Sequence, residues 1–362
     1  MRTSGGRRHE REMRIVIFLP NWVGDVVMAT PTLRALRRHF PDAELIGVLR
    51  PYVAEVLAGT PWLDRQMLYH PRSGNRELGS LTLIRELRRA RPDTAVLLTN
   101  SLRTGLLAWA SGARHRVGYV RYGRGPLLTE KLYHRKRGRR YVPWSVLDDY
   151  LRLAYALGCP EESSQVELAT SPADEQAAEL AWKRLGLPEG REVVLLNSSG
   201  AFGAAKLWPT EYFAGLARRI ATEAGFSVLV LCGPSEREIA RRVVAEARHP
   251  QVTSLADEKL SIGLSKACVG RSRLMVTTDS GPRHFAAALG VPVVTLFGPT
   301  HMAWSENHFP QTVNLQREVP CGPCMKRTCP LEHHRCMREL TVDEVFRAVV
   351  QHLENTQELY AA

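Results

Sequence analysis

The sequence has no long apolar segment and lacks the motifs of the commonest nucleotide-binding folds. No window approaches the roughly 18 uninterrupted apolar residues of a membrane-spanning helix, although 44% of the 362 residues are hydrophobic. The P-loop pattern GxxxxGK[ST] is absent, as is a GxGxxG followed by an acidic partner. These absences exclude a multi-span membrane protein and a P-loop nucleotide hydrolase, and they count against a nicotinamide-dependent dehydrogenase.

The N-terminal segment carries no export signal. Residues 1–12 are polar and basic, and the apolar run at 15–19 is broken by Pro20. A signal peptide needs about 7–15 apolar residues and a small-residue cleavage site. We expect residues 1–12 to form a disordered extension, with Met13 as an alternative start, and the protein to stay in the cytoplasm. The seven cysteines are then not expected to form a disulfide framework.

The net charge of +12 lies entirely in the first half of the chain. Residues 1–165 hold 28 Lys and Arg against 15 Asp and Glu, whereas residues 166–362 hold 21 against 22. This asymmetry predicts that one domain meets a polyanion while the other does something else. A nonenzymatic nucleic-acid or membrane-surface binder is the alternative, but no RRM, KH or zinc-finger pattern accompanies the charge.

Short apolar runs alternate with helical segments in two series, as in βαβ units with a parallel sheet. Strands are predicted at 14–19, 44–49, 66–69, 94–98, 193–197, 227–232, 274–277 and 293–297. Helices are predicted at 26–40, 52–58, 78–91, 146–157, 209–224, 235–247, 281–289 and 341–355. We therefore predict an α/β protein with two doubly wound domains facing across a cleft. We place the first domain at residues 13–165, a linker at 166–175, the second domain at 176–345, and a C-terminal helix and tail at 346–362.

Ligands of such domains bind at the carboxyl ends of the strands, where the first loop carries Gly24 and Asp25. Gly24 would let the backbone approach a ligand. Asp25 stands where a helix begins, so it is either a helix cap or a base that takes a proton from a sugar hydroxyl.

Three further strand-to-helix turns carry candidate ligand groups. In residues 277–284, Ser280 and Gly281 would offer free N–H groups to an anion, with His284 nearby; the alternative is a capped helix with a surface histidine. Ser198, Ser199 and Lys206 suit a diphosphate, or else form a solvated loop. Glu236 would reach ribose hydroxyls or cap its own helix.

Four cysteines lie within 16 residues, at Cys321, Cys324, Cys329 and Cys336. They are compatible with a tetrahedral structural zinc site, although the spacing fits no common finger pattern. A redox-labile disulfide and unpaired loop cysteines are the alternatives. We place no metal in the chemistry.

Together these segments resemble glycosyltransferase family 9, the ADP-heptose:lipopolysaccharide heptosyltransferases. The similar parts are Gly24-Asp25, Lys206 before Trp-Pro, the Gly-Pro-x-Glu turn, and TDSGPRHFAAALG with the later TLFGPT. The NWVGD loop and the cysteine segment resemble the heptosyltransferase II branch, and the resemblance spans about residues 13–350.

The resemblance implies a GT-B architecture, with the acceptor in the first domain and the nucleotide sugar in the second. It implies an inverting transferase without cofactor or catalytic metal, in which Asp25 is the general base and Lys206 binds the diphosphate. The remaining donor-site positions are Ser198 and Ser199 ahead of Lys206, Glu236 near the ribose, Asp279 on the donor sugar, and Ser280, Gly281 and His284 along the diphosphate. Trp22 departs from the small hydroxyl residue that some members have at this position.

The implied reaction moves L-glycero-D-manno-heptose from ADP-heptose to the heptosyl-Kdo-lipid A inner core. A family 9 transferase with another nucleotide sugar or acceptor is the alternative. The acceptor is an acidic lipid glycan, so we expect a peripheral protein on the inner face of the inner membrane and no specific nucleic-acid partner. The basic run then supplies candidates for binding acceptor or membrane, unless it is a solvated loop: Arg135, Lys136, Arg137, Arg139 and Arg140.

Overall fold

A computed structural model describes residues 12–189, 192–198 and 203–360, with side chains to residue 355. The first sheet has six parallel strands in the order β3-β2-β1-β4-β5-β6. These are β1 (Arg14–Phe18), β2 (Glu44–Leu49), β3 (Arg65–Leu68), β4 (Thr94–Leu97), β5 (His115–Tyr119) and β6 (Glu130–Leu132). A two-stranded antiparallel hairpin follows, formed by β7 (Lys136–Arg137) and β8 (Arg140–Tyr141).

The second sheet repeats the same strand order as β11-β10-β9-β12-β13-β14, again all parallel. Its strands are β9 (Val193–Asn197), β10 (Ser227–Leu231), β11 (Val252–Ser254), β12 (Leu274–Thr278), β13 (Val293–Phe297) and β14 (Thr312–Gln316). The central strands are apolar and buried along their length, as expected when helices cover both faces of a parallel sheet. This order is that of the doubly wound nucleotide-binding fold.

The helices are assigned to the two sheets by chain order. The first group comprises α1 (Val23–Met28), α2 (Thr30–His39), α3 (Pro51–Ala54), α4 (Ser80–Ala90), α5 (Leu102–Ala110) and α6 (Val146–Tyr155). The second comprises α7 (Pro172–Arg184), α8 (Thr210–Glu223), α9 (Arg237–Ala247), α10 (Ile262–Arg271), α11 (Arg283–Ala288), α12 (Arg335–Arg338) and α13 (Val342–Tyr360). None of the described helices is long and apolar enough to cross a bilayer.

The helix predicted over residues 26–40 is two helices that meet at Ala29. Pro31 has no N–H to donate to the carbonyl of Val27, so the helical ladder is interrupted there. The Thr30 hydroxyl donates to that carbonyl instead, at 2.8 Å. The break lets α1 point its first turn toward the second domain while α2 packs on the sheet.

The two domains are joined by a buried lysine as well as by the connecting chain. Lys266 on α10 is fully buried, and its ammonium donates to the carbonyls of Ala169 at 2.8 Å and Ala58 at 3.2 Å.

Residues 160–170 form neither helix nor strand, whereas α7 begins at Pro172, inside the predicted linker. The C-terminal helix begins at Val342, before the predicted division at 346. The domain boundaries themselves stay a prediction.

Candidate active site

Two cavities meet at the carboxyl ends of the two sheets. A large one of about 650 Å³ is lined by the first domain, and a smaller one of about 260 Å³ is lined mainly by the second. Four side chains line both cavities: Trp22, Asp25, Val146 and Trp304. Among them, only Asp25 is ionisable, so a carboxylate stands where the two spaces adjoin.

Asp25 is the third residue of α1 and does not cap it. Trp22 occupies the N-cap position, and its side chain makes no capping hydrogen bond. Burial raises the pKa of Asp25 to about 6; the charge of Asp279 also raises it, and Lys206 opposes the shift. A carboxylate with a pKa this close to neutrality suits proton abstraction.

The first turn of α1 and the loop that precedes α11 approach each other through two glycines. A Cβ on Gly24 would lie 2.8 Å from Cδ2 of His284, and one on Gly281 would lie 3.1 Å from Cβ of Val23. The prediction that Gly24 lets the backbone approach a ligand is therefore incomplete. In the structure, the missing side chain lets one domain approach the other and brings Asp25 to the donor side of the cleft.

Lys206 and Asp279 form a buried ion pair in the smaller cavity. The Lys206 Nζ lies 2.6 Å from Oδ2 of Asp279 and donates to its backbone carbonyl at 2.7 Å. The carboxylate also accepts from Thr300 at 2.7 Å, Ser305 at 3.0 Å and Arg283 at 3.3 Å. Its oxygens thus receive four protein donors, which fills the acceptor positions of a carboxylate. Direct contact with a donor sugar would displace one of them.

Two cations lie next to the carboxylate of Asp279. Burial alone would raise the pKa of Asp279, but the charges of Lys206 and Arg283 outweigh it and hold that pKa below its ordinary value. Two cations therefore surround one ionised carboxylate. The ionised carboxylate of Asp25, which lines the same cavity, brings these four charges into balance, and the ammonium of Lys206 is a fixed cation that faces the cavity.

His284 lines the smaller cavity as a neutral side chain. Burial and the charge of Arg283 hold its pKa well below the ordinary value. The amide of Asn307 donates to Nδ1 at 3.1 Å, which leaves the imidazole proton on Nε2. His284 is therefore a hydrogen-bond donor in this site rather than a cation.

The other predicted donor-site residues are placed differently. Gly24, Ser280 and Gly281 line the smaller cavity, and the Ser280 hydroxyl accepts from Asn197 at 2.9 Å. The Ser198 hydroxyl is buried and has no hydrogen-bond partner in the described chain, but it does not line the cavity. Ser199 lies outside the described residues. Glu236 accepts from the backbone N–H of Gly233 at 2.8 Å, which caps its own turn.

Four arginines that the sequence analysis did not single out line the large cavity. Each follows a different strand of the first sheet, after β2, β3, β4 and β5 respectively: Arg50, Arg72, Arg103 and Arg121. Within the described chain, none of the four forms a salt bridge with a carboxylate. The repeated occurrence of Arg after a strand was the sequence signal that could have identified them, because those strand ends share one edge.

His134 and Asp149, a hydrogen-bonded histidine and carboxylate, line the same cavity. Nδ1 of His134 lies 2.9 Å from Oδ2 of Asp149, and the Tyr119 hydroxyl donates to Oδ1 of Asp149 at 3.1 Å. The rings of His134 and Tyr119 stack with centroids 4.1 Å apart. Nε2 of His134 is buried without a partner among the described residues. A ligand in the cavity would bind this nitrogen only after the groups that cover it move.

The basic run is a hairpin on the surface. All five predicted cations, at 135, 136, 137, 139 and 140, are exposed, and none lines either cavity. The guanidinium of Arg135 lies 3.5 Å from the ring centroid of Trp144, and Nζ of Lys136 lies 4.9 Å from that of Tyr141. Contact with an acceptor would thus occur outside the cavity.

The four clustered cysteines are unpaired. Sγ of Cys321 lies 3.8 Å from Nε2 of His333, and the nearby thiols of Cys321, Cys324 and Cys329 contribute to the raised pKa of Cys336, whose main cause is burial. In the described chain, no group of three or more His, Cys, Asp or Glu residues is arranged to hold a metal ion. The predicted structural site at Cys321, Cys324, Cys329 and Cys336 gains no support from this geometry.

Two doubly wound domains that share a cleft, with a carboxylate of one facing the Lys206–Asp279 pair of the other, have the architecture of the GT-B glycosyltransferases. The family model for glycosyltransferase family 9 (heptosyltransferase) matches residues 80–335, which is more than half of the chain. The chain belongs to glycosyltransferase family 9.

Relatives and solved structures agree with this assignment. The chain is 26% identical over 350 residues to lipooligosaccharide heptosyltransferase 2 of Campylobacter jejuni, covering 95% of this chain and 99% of that relative. It is 28% identical over 340 residues to lipopolysaccharide heptosyltransferase 1 of Pseudomonas aeruginosa, covering 91% of each.

Two solved structures have the same fold. A family 9 glycosyltransferase from Veillonella parvula superposes with a TM-score of 0.80 at 23% identity, covering 95% of this chain and 97% of that one. ADP-heptose lipopolysaccharide heptosyltransferase II of Escherichia coli superposes with a TM-score of 0.78 at 22% identity, covering 95% of this chain and 100% of that one. The predicted family, GT-B fold and transferase class are confirmed.

Proposed function

We propose that this glycosyltransferase moves L-glycero-D-manno-heptose from ADP-heptose to the heptosyl-Kdo-lipid A inner core of lipopolysaccharide. The observation that carries the proposal is the position of Asp25. Its carboxylate lines both the arginine-rich cavity of the first domain and the smaller cavity of the second, which Lys206 also lines. A ligand in each space would present its reacting atoms to this one group.

The proposed reaction is a single displacement with inversion. Asp25 takes the proton of the acceptor hydroxyl while the oxygen of that hydroxyl attacks the anomeric carbon of the donor. The bond between the anomeric carbon and the diphosphate oxygen breaks in the same step. Lys206, with Arg283 behind Asp279, stabilises the charge that grows on the leaving ADP. The neutral His284 donates a hydrogen bond to the same group.

The acceptor would occupy the large cavity of the first domain. Its volume of about 650 Å³ suits a phosphorylated oligosaccharide rather than water. The four cavity arginines match the carboxylates and phosphates of that glycan, since guanidinium groups bind both in bidentate fashion. In this proposal the enzyme works at the cytoplasmic face of the inner membrane without a cofactor, and the exposed hairpin cations contact the acceptor beyond the cavity or the membrane itself.

Donor binding and turnover test the proposal separately. Calorimetry with ADP-, UDP- and GDP-linked sugars should give binding for ADP-heptose, and Lys206→Met should weaken it. Adding a heptosyl-Kdo-lipid A acceptor should then release ADP. Tighter binding of a UDP or GDP sugar would favour a family 9 transferase with a different donor. Donor binding without ADP release would leave the donor assignment in place and refute the acceptor.

A further inference from the structure

Helix α5 exposes an apolar stripe that no other part of the described chain covers. Leu102, Leu106 and Trp109 are 46%, 47% and 60% exposed. Their spacing of four and three residues places them on one face of the helix. The opposite face is also apolar, because Gly105, Leu107 and Ala108 are buried against the domain. A surface helix that is apolar on both faces has an outer face suited to a partner.

The surroundings of this stripe are strongly cationic. Residues 80–116, which contain α4 and α5, hold seven arginines against two acids. One of those acids, Asp93, accepts the backbone N–H of Arg14 and belongs to the fold. On α4, Arg88 donates to the carbonyl of Ala110 at 2.9 Å, which fixes a guanidinium at the end of α5 beside Trp109. The partner of the stripe must therefore be both apolar and anionic.

The stripe also adjoins the large cavity. Ser101, Arg103 and Thr104, in the first turn of α5, line that cavity, while Leu102 between them faces outward. A ligand extending out of the cavity would pass along this helix. The same short helix thus offers polar groups to the cavity and apolar groups to its rim.

We propose that the outer face of α5 docks on an anionic lipid bilayer. Leu102, Leu106 and Trp109 enter the interfacial region, where tryptophan is favoured, and the arginines of residues 80–116 other than the cavity residue Arg103 contact lipid phosphates. A second copy of the chain is a poorer partner, because a symmetric contact would oppose the two arginine clusters. The proposal uses the proposed function in one respect only, since a lipid-linked acceptor would then reach the cavity from the bilayer.

Vesicle sedimentation of the full chain tests this surface. The wild type should bind phosphatidylcholine vesicles containing phosphatidylglycerol and bind phosphatidylcholine alone more weakly. Leu106→Ser with Trp109→Ser should lower binding at least about tenfold. Leu180→Ser, at a 50% exposed leucine of α7 in the other domain, is the matched control. Arg85→Gln with Arg89→Gln should reduce the preference for the anionic lipid, and Arg218→Gln should not.

Three results would overturn the proposal: no vesicle binding by the wild type, equal binding by the α5 variant, or a wild-type dimer that the α5 variant dissociates in sedimentation velocity. Neither α5 substitution touches the cavity lining, so ADP release with a water-soluble acceptor fragment should be unchanged. That readout separates the two proposals. Failure of turnover with intact vesicle binding refutes the proposed donor or acceptor, and turnover without vesicle binding refutes the docking surface.

Discussion

The two domains share one strand order but organise their cations in opposite ways. In the first, four arginines line a cavity of about 650 Å³, and none forms a salt bridge within the described chain. In the second, Lys206 and Arg283 are buried around the Asp279 carboxylate, which four side chains hold in place. The first arrangement suits a large ligand that brings its own negative charges. The second is a preorganised pocket in which the ammonium of Lys206 is held in place by Asp279, an arrangement suited to a single leaving group.

The largest expected effect falls where the two regions adjoin. Asp25→Asn should lower kcat by about 10²–10⁴-fold, the usual contribution of a general base, while ADP binding persists. Turnover assays and calorimetry on the same variant measure both. Wild-type turnover by Asp25→Asn would mean that the base is another group.

The pH profile gives a second readout of the same residue. The base must be ionised to act, and the pKa of Asp25 is raised to about 6. The wild-type kcat/KM should therefore fall about tenfold per pH unit as the pH drops below 6. An ordinary carboxylate would keep its activity to about pH 4, so a flat profile between pH 4 and 6 would contradict the raised pKa.

Lys206 tests the second arrangement alone. Lys206→Met should weaken ADP binding and lower kcat by about 10²–10³-fold, because the fixed charge nearest the leaving group is removed. It should also lower the melting temperature, since Asp279 loses its closest cation. Acceptor affinity should stay at the wild-type value. A matching loss of acceptor affinity would show that the domains do not bind their ligands separately.

Much of the fold could be predicted because buried parallel strands are continuous apolar runs. The predicted strands at 44–49, 193–197 and 293–297 coincide with β2, β9 and β13. The hairpin of β7 and β8 was not predicted, since HRKRGRR has no alternation of apolar residues; its turn depends on Gly138, with a φ of 61°. Helix α5 was missed because its apolar residues lie on both of its faces and give no clear helical period.

The site could be predicted only in part, for a physical reason. Asp25, Lys206 and Asp279 each stand in a recognisable strand-to-helix turn, so local pattern and family resemblance identify them. Their meeting depends on how two separate domains close, which periodicity along one chain does not encode. The Asp25 pKa, the four donors on Asp279 and the approach of Gly24 to His284 all arise from that closure.

The first arrangement is tested by one of its arginines. Arg72→Gln should raise the KM for the acceptor about tenfold, the loss of one charge-assisted contact, and leave kcat and ADP affinity unchanged. Arg50 is less suitable, because its guanidinium also holds the side chain of Asn21 in the loop before Asp25. Equal KM values for wild type and Arg72→Gln would show that the cavity arginines do not bind the acceptor.

The smallest effect is expected at His134. A variant at this position tests whether the first domain binds the acceptor only through its unpaired arginines. Nδ1 of His134 is engaged by Asp149, and Nε2 is buried without a partner in the described chain, so a ligand that displaces the groups covering Nε2 would bind there. One lost hydrogen bond in a cavity is worth about 0.5–1.5 kcal/mol, so His134→Gln should raise the acceptor KM about two- to tenfold with kcat unchanged. Asp149→Asn should weaken the same contact by freeing the imidazole. If the double variant has an acceptor KM no higher than that of either single variant, the two residues act as a unit. Additive increases in KM would mean that Asp149 supports the fold through Tyr119 and that His134 acts alone.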